Sequence, residues 1–224
     1  MRDFLETIPE WLRKSIHTFC TDMWEGYINA VAEFIARHDL EENCRIVVDR
    51  YHVAENYREA FDKLRKRELK RLKAELPEEI YQRDCRGALW LLRHNYDALD
   101  EEEKKQLRRL LAHSAQLHEA YTLRTELTAI FNMKLSRKQG ESRLRKWIDK
   151  VERSTLTCFD KTIKTLQNHF DLIANYFIRR ANSGFVEGFN NKAKVIKRRC
   201  YGIKNVTSLF QRLWLDTKGY AQFV

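Results

Sequence analysis

Ile16-His17-Thr18-Phe19-Cys20-Thr21-Asp22-Met23-Trp24-Glu25-Gly26-Tyr27 changes its periodicity half-way. Ile16 to Cys20 is an alternating or apolar run of β type, and it stops at Thr21-Asp22. From Met23 the spacing becomes helical, with Tyr27, Ala30, Val31, Phe34 and Ile35 on one face. Arg45-Ile46-Val47-Val48-Asp49 is a second short β-rich run. Residues 16 to 49 therefore read as strand, helix, strand. Such a unit predicts parallel strands joined by a right-handed crossover. An aspartate at the carboxyl end of such a strand sits where ligands bind in α/β sheets. Capping the following helix is the plainer role for Asp22, and the two roles are compatible.

Upstream, residues 3 to 15 predict a helix with Phe4, Leu5, Ile8, Trp11 and Leu12 on one side, interrupted near Pro9. Downstream, Asp49-Arg50-Tyr51-His52 follows the second strand. Two potential ligands are too few for a closed metal site. The reading is structural, with Asp49 capping the next helix and His52 hydrogen-bonded near the strand end.

From Val53 to about Arg180 the pattern is helical without strand signals. Tyr57, Phe61, Leu64 and Leu72 mark one helix, with a basic run from Lys63 to Lys73. Interleaved Glu59, Glu68 and Glu75 predict ion pairs there, so that run reads as a solvated face. Asp100 predicts an N-cap before Glu101 to Glu103. Phe159, Ile163, Leu166, Phe170, Ile173 and Phe177 alternate by four and three, a seam for packing or for pairing with a second copy. Residues 206 to 218 predict a last helix, with Leu209, Phe210, Leu213 and Trp214 on its apolar side.

The stretch before that helix runs Ser183-Gly184-Phe185-Val186-Glu187-Gly188-Phe189-Asn190-Asn191-Lys192-Ala193-Lys194-Val195-Ile196-Lys197-Arg198-Arg199-Cys200-Tyr201-Gly202. As a helix it has an apolar stripe of Phe185, Phe189, Ala193 and Ile196. A second face carries Glu187, Asn191, Lys194 and Arg198. Gly202 predicts a left-handed stop. An acid in a first turn is favoured by the helix dipole alone. One carboxylate beside a dense basic run also suits phosphate chemistry.

Composition sets outer bounds. The 224 residues can bury a real core in one or two domains, and only 7 Gly and 2 Pro favour long helices. A net charge of +10 favours a polyanionic partner, with nucleic acid before a membrane surface. The five cysteines form no C-x-x-C pair, which argues against a zinc module or a disulfide framework. No apolar run approaches a membrane span, and no signal peptide follows Met1, so a cytoplasmic location is expected.

The segment from Ser183 to Asn205 resembles the C-terminal motif of bacterial insertion-sequence transposases of the ISL-three type, which have a DDE catalytic core. Thr21-Asp22-Met23-Trp24-Glu25-Gly26-Tyr27 and Val47-Val48-Asp49-Arg50-Tyr51-His52-Val53 resemble the family too, in its order. The resemblance implies an α/β, mostly helical fold. A partial ribonuclease-H-like core (the β-α-β unit plus the C-terminal helices, residues 1–53 and 179–224) would carry a large all-α insertion, residues 54–178. It implies that Asp22 is the family's second catalytic aspartate and Glu187 its glutamate, together holding Mg²⁺ or Mn²⁺. It implies DNA as partner, both transposon ends and target, with Asn191, Lys194, Lys197, Arg198 and Arg199 on phosphates near the cut. The reaction implied is strand cleavage followed by attack of a 3′-hydroxyl on target DNA.

Nothing in residues 1 to 21 fits the family's first catalytic aspartate, and the family's zinc-binding and DNA-reading modules have no counterpart. The expectation is the C-terminal part of a transposase, without transposition activity of its own. Two further readings stay open: a basic DNA-binding protein without chemistry, and a homodimer paired through the Phe159–Phe177 seam.

Overall fold

The computed structural model describes residues 1–219. In chain order the elements are α1 (Arg2–Glu6), α2 (Glu10–Arg13), β1 (Thr18–Thr21), α3 (Glu25–Arg37), β2 (Arg45–Val48), α4 (Arg50–Glu75), α5 (Glu78–Cys85), α6 (Ala88–Arg93), α7 (Glu101–Ala112), α8 (Ala115–Asn132), α9 (Arg137–Glu152), α10 (Asp160–Asn168), α11 (Phe170–Ala174), α12 (Tyr176–Arg179), α13 (Gly184–Arg199) and α14 (Val206–Lys218). The fold is mostly helical, with one small parallel sheet. The chain divides into two compact units, Met1–Ala181 and the remainder from Asn182.

In the first unit, β1 and β2 pair in parallel, Thr18 opposite Arg45 and Thr21 opposite Val48. Those are the two strands expected from the sequence, joined through α3. β2 lies between two apolar clusters. Ile46 belongs to one with Leu5, Val31, Phe34 and Leu40. Val47 and Val48 belong to the other, which runs through the helices from α4 to α12. Burial on both sides explains why Ile46-Val47-Val48 is continuously apolar. The amide of Asn175, itself buried, donates to the carbonyl of Ile46 at 2.9 Å.

α4 is a 26-residue helix with Tyr57, Phe61, Leu64 and Leu72 inward, as their spacing predicts. Tyr57 stacks on Phe159, with ring centroids 4.4 Å apart, and its hydroxyl donates to the Ala120 carbonyl at 2.6 Å. α7 opens with a capping box in which Asp100 accepts from the Glu103 amide and the Glu103 carboxylate accepts from the Asp100 amide. α9 approaches α12 so closely that a Cβ on Gly140 would fall 2.2 Å from the Phe177 ring.

Two expectations need correction. The Phe159–Phe177 seam is not one helix: it is divided among a 3-10 turn (Thr157–Phe159), α10, α11 and α12. Phe159, Ile163, Leu166, Ile173 and Phe177 are all buried inside the unit, so the seam gives no pairing face to a second copy. The break before α12 places Asn175, whose amide must reach β2. At the N-terminus, the stripe expected over residues 3 to 15 is buried only at Leu5, while Phe4 and Trp11 are exposed. Pro9 separates α1 from α2, so a single amphipathic face never forms.

In the second unit, α13 and α14 pack together through a short connection. Leu213 is buried, whereas Phe210 and Trp214 are exposed. Among the described residues no helix is long and apolar enough to cross a membrane.

Candidate nucleic-acid and metal site

Asp22 is the first residue past the carboxyl end of β1. Its Oδ1 accepts the backbone amide of Trp24 at 3.1 Å, which turns the chain from the strand into α3. It is half-buried. Trp24, not Asp22, occupies the N-cap position of α3. The exposed indole of Trp24 meets Tyr27 edge-on at 4.5 Å and folds over Gly26, where a Cβ would come within 2.6 Å of the ring.

Asp49 accepts the Tyr51 amide at 2.9 Å and so caps α4. Arg50 donates to Asn132 Oδ1 at 3.0 Å. His52 Nδ1 lies 3.4 Å from Glu55 Oε2.

Glu187 lies in the first turn of α13, exposed, with Ser183 Oγ donating to its Oε1 at 3.0 Å. Asn182 Oδ1 accepts the Gly184 amide at 3.0 Å and helps to open the helix. Asn191, Lys194 and Arg198 repeat from Glu187 at helical spacing, and all are exposed. Glu187 and Lys194 are seven residues apart, which puts them about 10 Å apart along the helix axis. Phe185 is 84% exposed, so only the Ile196 end of the apolar stripe is buried.

α13 ends in a Schellman motif. The Gly202 amide donates to the Lys197 carbonyl at 2.8 Å and the Tyr201 amide to the Arg198 carbonyl at 3.1 Å. Gly202 has positive φ, as the sequence predicts, and so does Tyr201 one residue earlier, at 53°. Lys194, Lys197, Arg198, Tyr201 and Gly202 line an open depression.

The electrostatics single out this end of the chain. From Asn182 onward the sequence has eight Lys and Arg against two acids, Glu187 and Asp216, and so holds +6 of the +10 net charge. Lys192 Nζ pairs with Asp216 at 2.8 Å and holds that carboxyl below its ordinary range. Lys194, Lys197 and Arg198 make no ion pair among the described residues.

The sequence reading gave no role to Trp24 or Tyr201. Aromatic residues beside an acid or within a basic run were the available signal. Their exposure, and the left-handed backbone at Tyr201, needed the structure.

A transposase family model of the DDE ISL-three type matches residues 1–213. The chain belongs to this family. It is similar to the transposase for insertion sequence element IS1001 of Bordetella parapertussis, 28% identical over 222 residues, 99% of this chain and 52% of that protein. It is also similar to the transposase for insertion sequence element IS1557 of Mycobacterium tuberculosis, 23% identical over 138 residues, 62% of this chain and 31% of that protein. The chain thus spans about half the length, or less, of these curated relatives. No solved structure matches it.

Among the described residues no three His, Cys, Asp or Glu side chains group as a metal site. Asp22 and Glu187 each carry the carboxylate oxygen chemistry that a hard cation takes. Mg²⁺ takes oxygen ligands and is typically held by one or two carboxylates, with substrate phosphates and water completing its shell. Asp22 spends Oδ1 on a backbone amide and Glu187 spends Oε1 on a hydroxyl, which leaves each a second carboxylate oxygen.

Proposed function

We propose that this chain contributes Asp22 and Glu187 to metal-dependent cleavage and joining of DNA in a DDE transposase catalytic region. The observation that carries the reading is Asp22 at the carboxyl end of a parallel strand, in a chain whose family is defined by such acids. The β-α-β unit with residues 179–224 then forms a ribonuclease-H-like core, and residues 54–178 are its helical insertion.

A divalent cation, Mg²⁺ or Mn²⁺, would lower the charge on the phosphate under attack and on the leaving oxygen. Asp22 and Glu187 would hold it. The Trp24 amide fixes the orientation of the Asp22 carboxylate, and the Ser183 hydroxyl does the same for Glu187. Asn191, Lys194, Lys197, Arg198 and Arg199 contact phosphates and position DNA without reading its sequence. Asp49 and His52 support the strand end from α4.

The test is Mn²⁺ binding in the presence of DNA, read by electron paramagnetic resonance. Asp22→Asn and Glu187→Gln should each weaken it by about tenfold or more. Unchanged affinity in both variants removes the metal role. The chain alone should bind DNA without strand transfer. Metal-dependent strand transfer by the purified chain would show that no further acid is needed.

A further inference from the structure

Three non-glycine residues have left-handed backbone among the described residues: Asp39, Arg180 and Tyr201. Two of them have a local explanation. Aspartate tolerates this region better than most residues. Arg180 is held by its guanidinium, which donates to the carbonyls of Met133 at 2.7 Å and Phe131 at 3.0 Å. Tyr201 has neither excuse. Its side chain is fully exposed, at 101% of the reference area, and makes no hydrogen bond or ring contact among the described residues. It occupies the position after a helix where glycine is the ordinary choice, because a Cβ there is strained. A bulky aromatic is thus displayed at a cost to the fold, with nothing among the described residues of its own unit to hold it.

What surrounds it is cationic. Tyr201 shares its depression with Lys194, Lys197 and Arg198, none of which has a carboxylate partner among the described residues. Unpaired cations beside an exposed aromatic ring make up the two halves of a single-stranded nucleic-acid site. The cations follow the phosphates and the ring takes a base face. A fully paired duplex offers the cations their phosphates but keeps its base faces covered.

We infer that Tyr201 stacks on an unpaired base of DNA while Lys194, Lys197 and Arg198 hold the adjoining phosphates, so that this depression selects DNA ends with an extruded or overhanging nucleotide. The inference rests on the DNA reading proposed above and adds to it the kind of DNA structure chosen.

The test uses two DNA duplexes of the same sequence, one blunt and one with a single-stranded 3′ extension carrying 2-aminopurine. The chain should prefer the extended duplex by about fivefold or more, and binding should quench the 2-aminopurine. Tyr201→Phe keeps both effects. Tyr201→Ala and Tyr201→Gly should bring the ratio of the two affinities to one and abolish the quenching. The glycine variant separates stacking from folding, because it relieves the backbone strain and should leave the melting temperature equal or higher. A glycine variant that keeps preference and quenching overturns the inference. So does wild-type protein that binds both duplexes equally, and in that case the DNA reading survives. Failure to bind either duplex overturns the DNA reading itself.

Discussion

α4 and α13 are both rich in lysine and arginine, yet they use their charge differently. On α4, Arg58 pairs with Glu55, Arg65 with Asp62, Arg67 with Glu68, and Arg71 with both Glu68 and Glu75. Glu68 and Glu75 therefore act as the sequence predicts, whereas Glu59 makes no ion pair among the described residues. Burial raises the Glu68 carboxyl, but hydrogen bonds from Ser114 and Arg71 outweigh it and hold the group below its ordinary value. A denser cluster surrounds Asp84, which is 1% exposed and accepts from Arg83, Arg109 and His113. On α13 only Lys192 has a close carboxylate partner among the described residues. Composition alone would rank the two helices alike. The acids placed within reach distinguish a charge that serves the fold from one left for a partner.

The comparison can be tested most severely at Asp84. Asp84→Ala removes the acceptor shared by Arg83, Arg109 and His113; because those three side chains stay partly exposed, the cost in urea unfolding should be about 1.5–3 kcal/mol. Hydrogen bonding from Arg83 above all holds the Asp84 carboxyl far below the usual range. Its contribution is therefore fully present above about pH 4, the ordinary carboxylate value, and is lost as pH falls below that toward the folded-state value. The wild type should lose stability over that acidic range more steeply than Asp84→Asn. DNA affinity near neutral pH should be the same in folded Asp84→Asn and wild type.

Next in size is Gly140→Ala. Alanine favours a helix, but here its Cβ meets the Phe177 ring, and overpacking of this kind costs about 1–3 kcal/mol. A gain in thermal stability would show that α9 and α12 are not tightly apposed.

Smaller in energy, but more telling for the comparison, are alanine substitutions at Lys194, Lys197 and Arg198. Each should weaken duplex binding and lower the slope of log affinity against log salt by about 0.9. The smallest expected effect is at Lys70→Ala. Lys70 is exposed on α4 and has no ion pair among the described residues, and its loss should change stability by less than about 0.5 kcal/mol. It should leave the salt slope untouched. A slope change as large as at Lys194 would mean that both helices face DNA, and the contrast drawn above would fail.

Much of this was legible from residue spacing. Ile46-Val47-Val48 announced a strand, Tyr57 to Leu72 a helix, and Asp100 an N-cap, because each depends on neighbours close in sequence. The long seam misled for the opposite reason. Its four-three spacing is satisfied equally by one helix or by several short ones, and the choice was made by Asn175 reaching for the Ile46 carbonyl, far away in sequence. Gly140 was invisible, since nothing local marks a glycine required by a ring on another helix. At the candidate site, the acids and cations proposed to hold metal and phosphate come from the family motifs. The display of Tyr201 was not, because exposure and backbone sign belong to the folded chain.

The Asn175–Ile46 hydrogen bond spans 129 residues of sequence. A ribosome adding roughly 5–20 residues per second needs roughly 6–26 s to cover that distance. During that interval the nascent β-α-β unit has β2 without its buried amide partner and without the helices that cover Val47 and Val48. The order of synthesis thus exposes a short apolar strand edge before its cover exists. Chaperone dependence during expression should track translation speed through the α4–α10 region, and slower codons there should lengthen the exposure rather than relieve it.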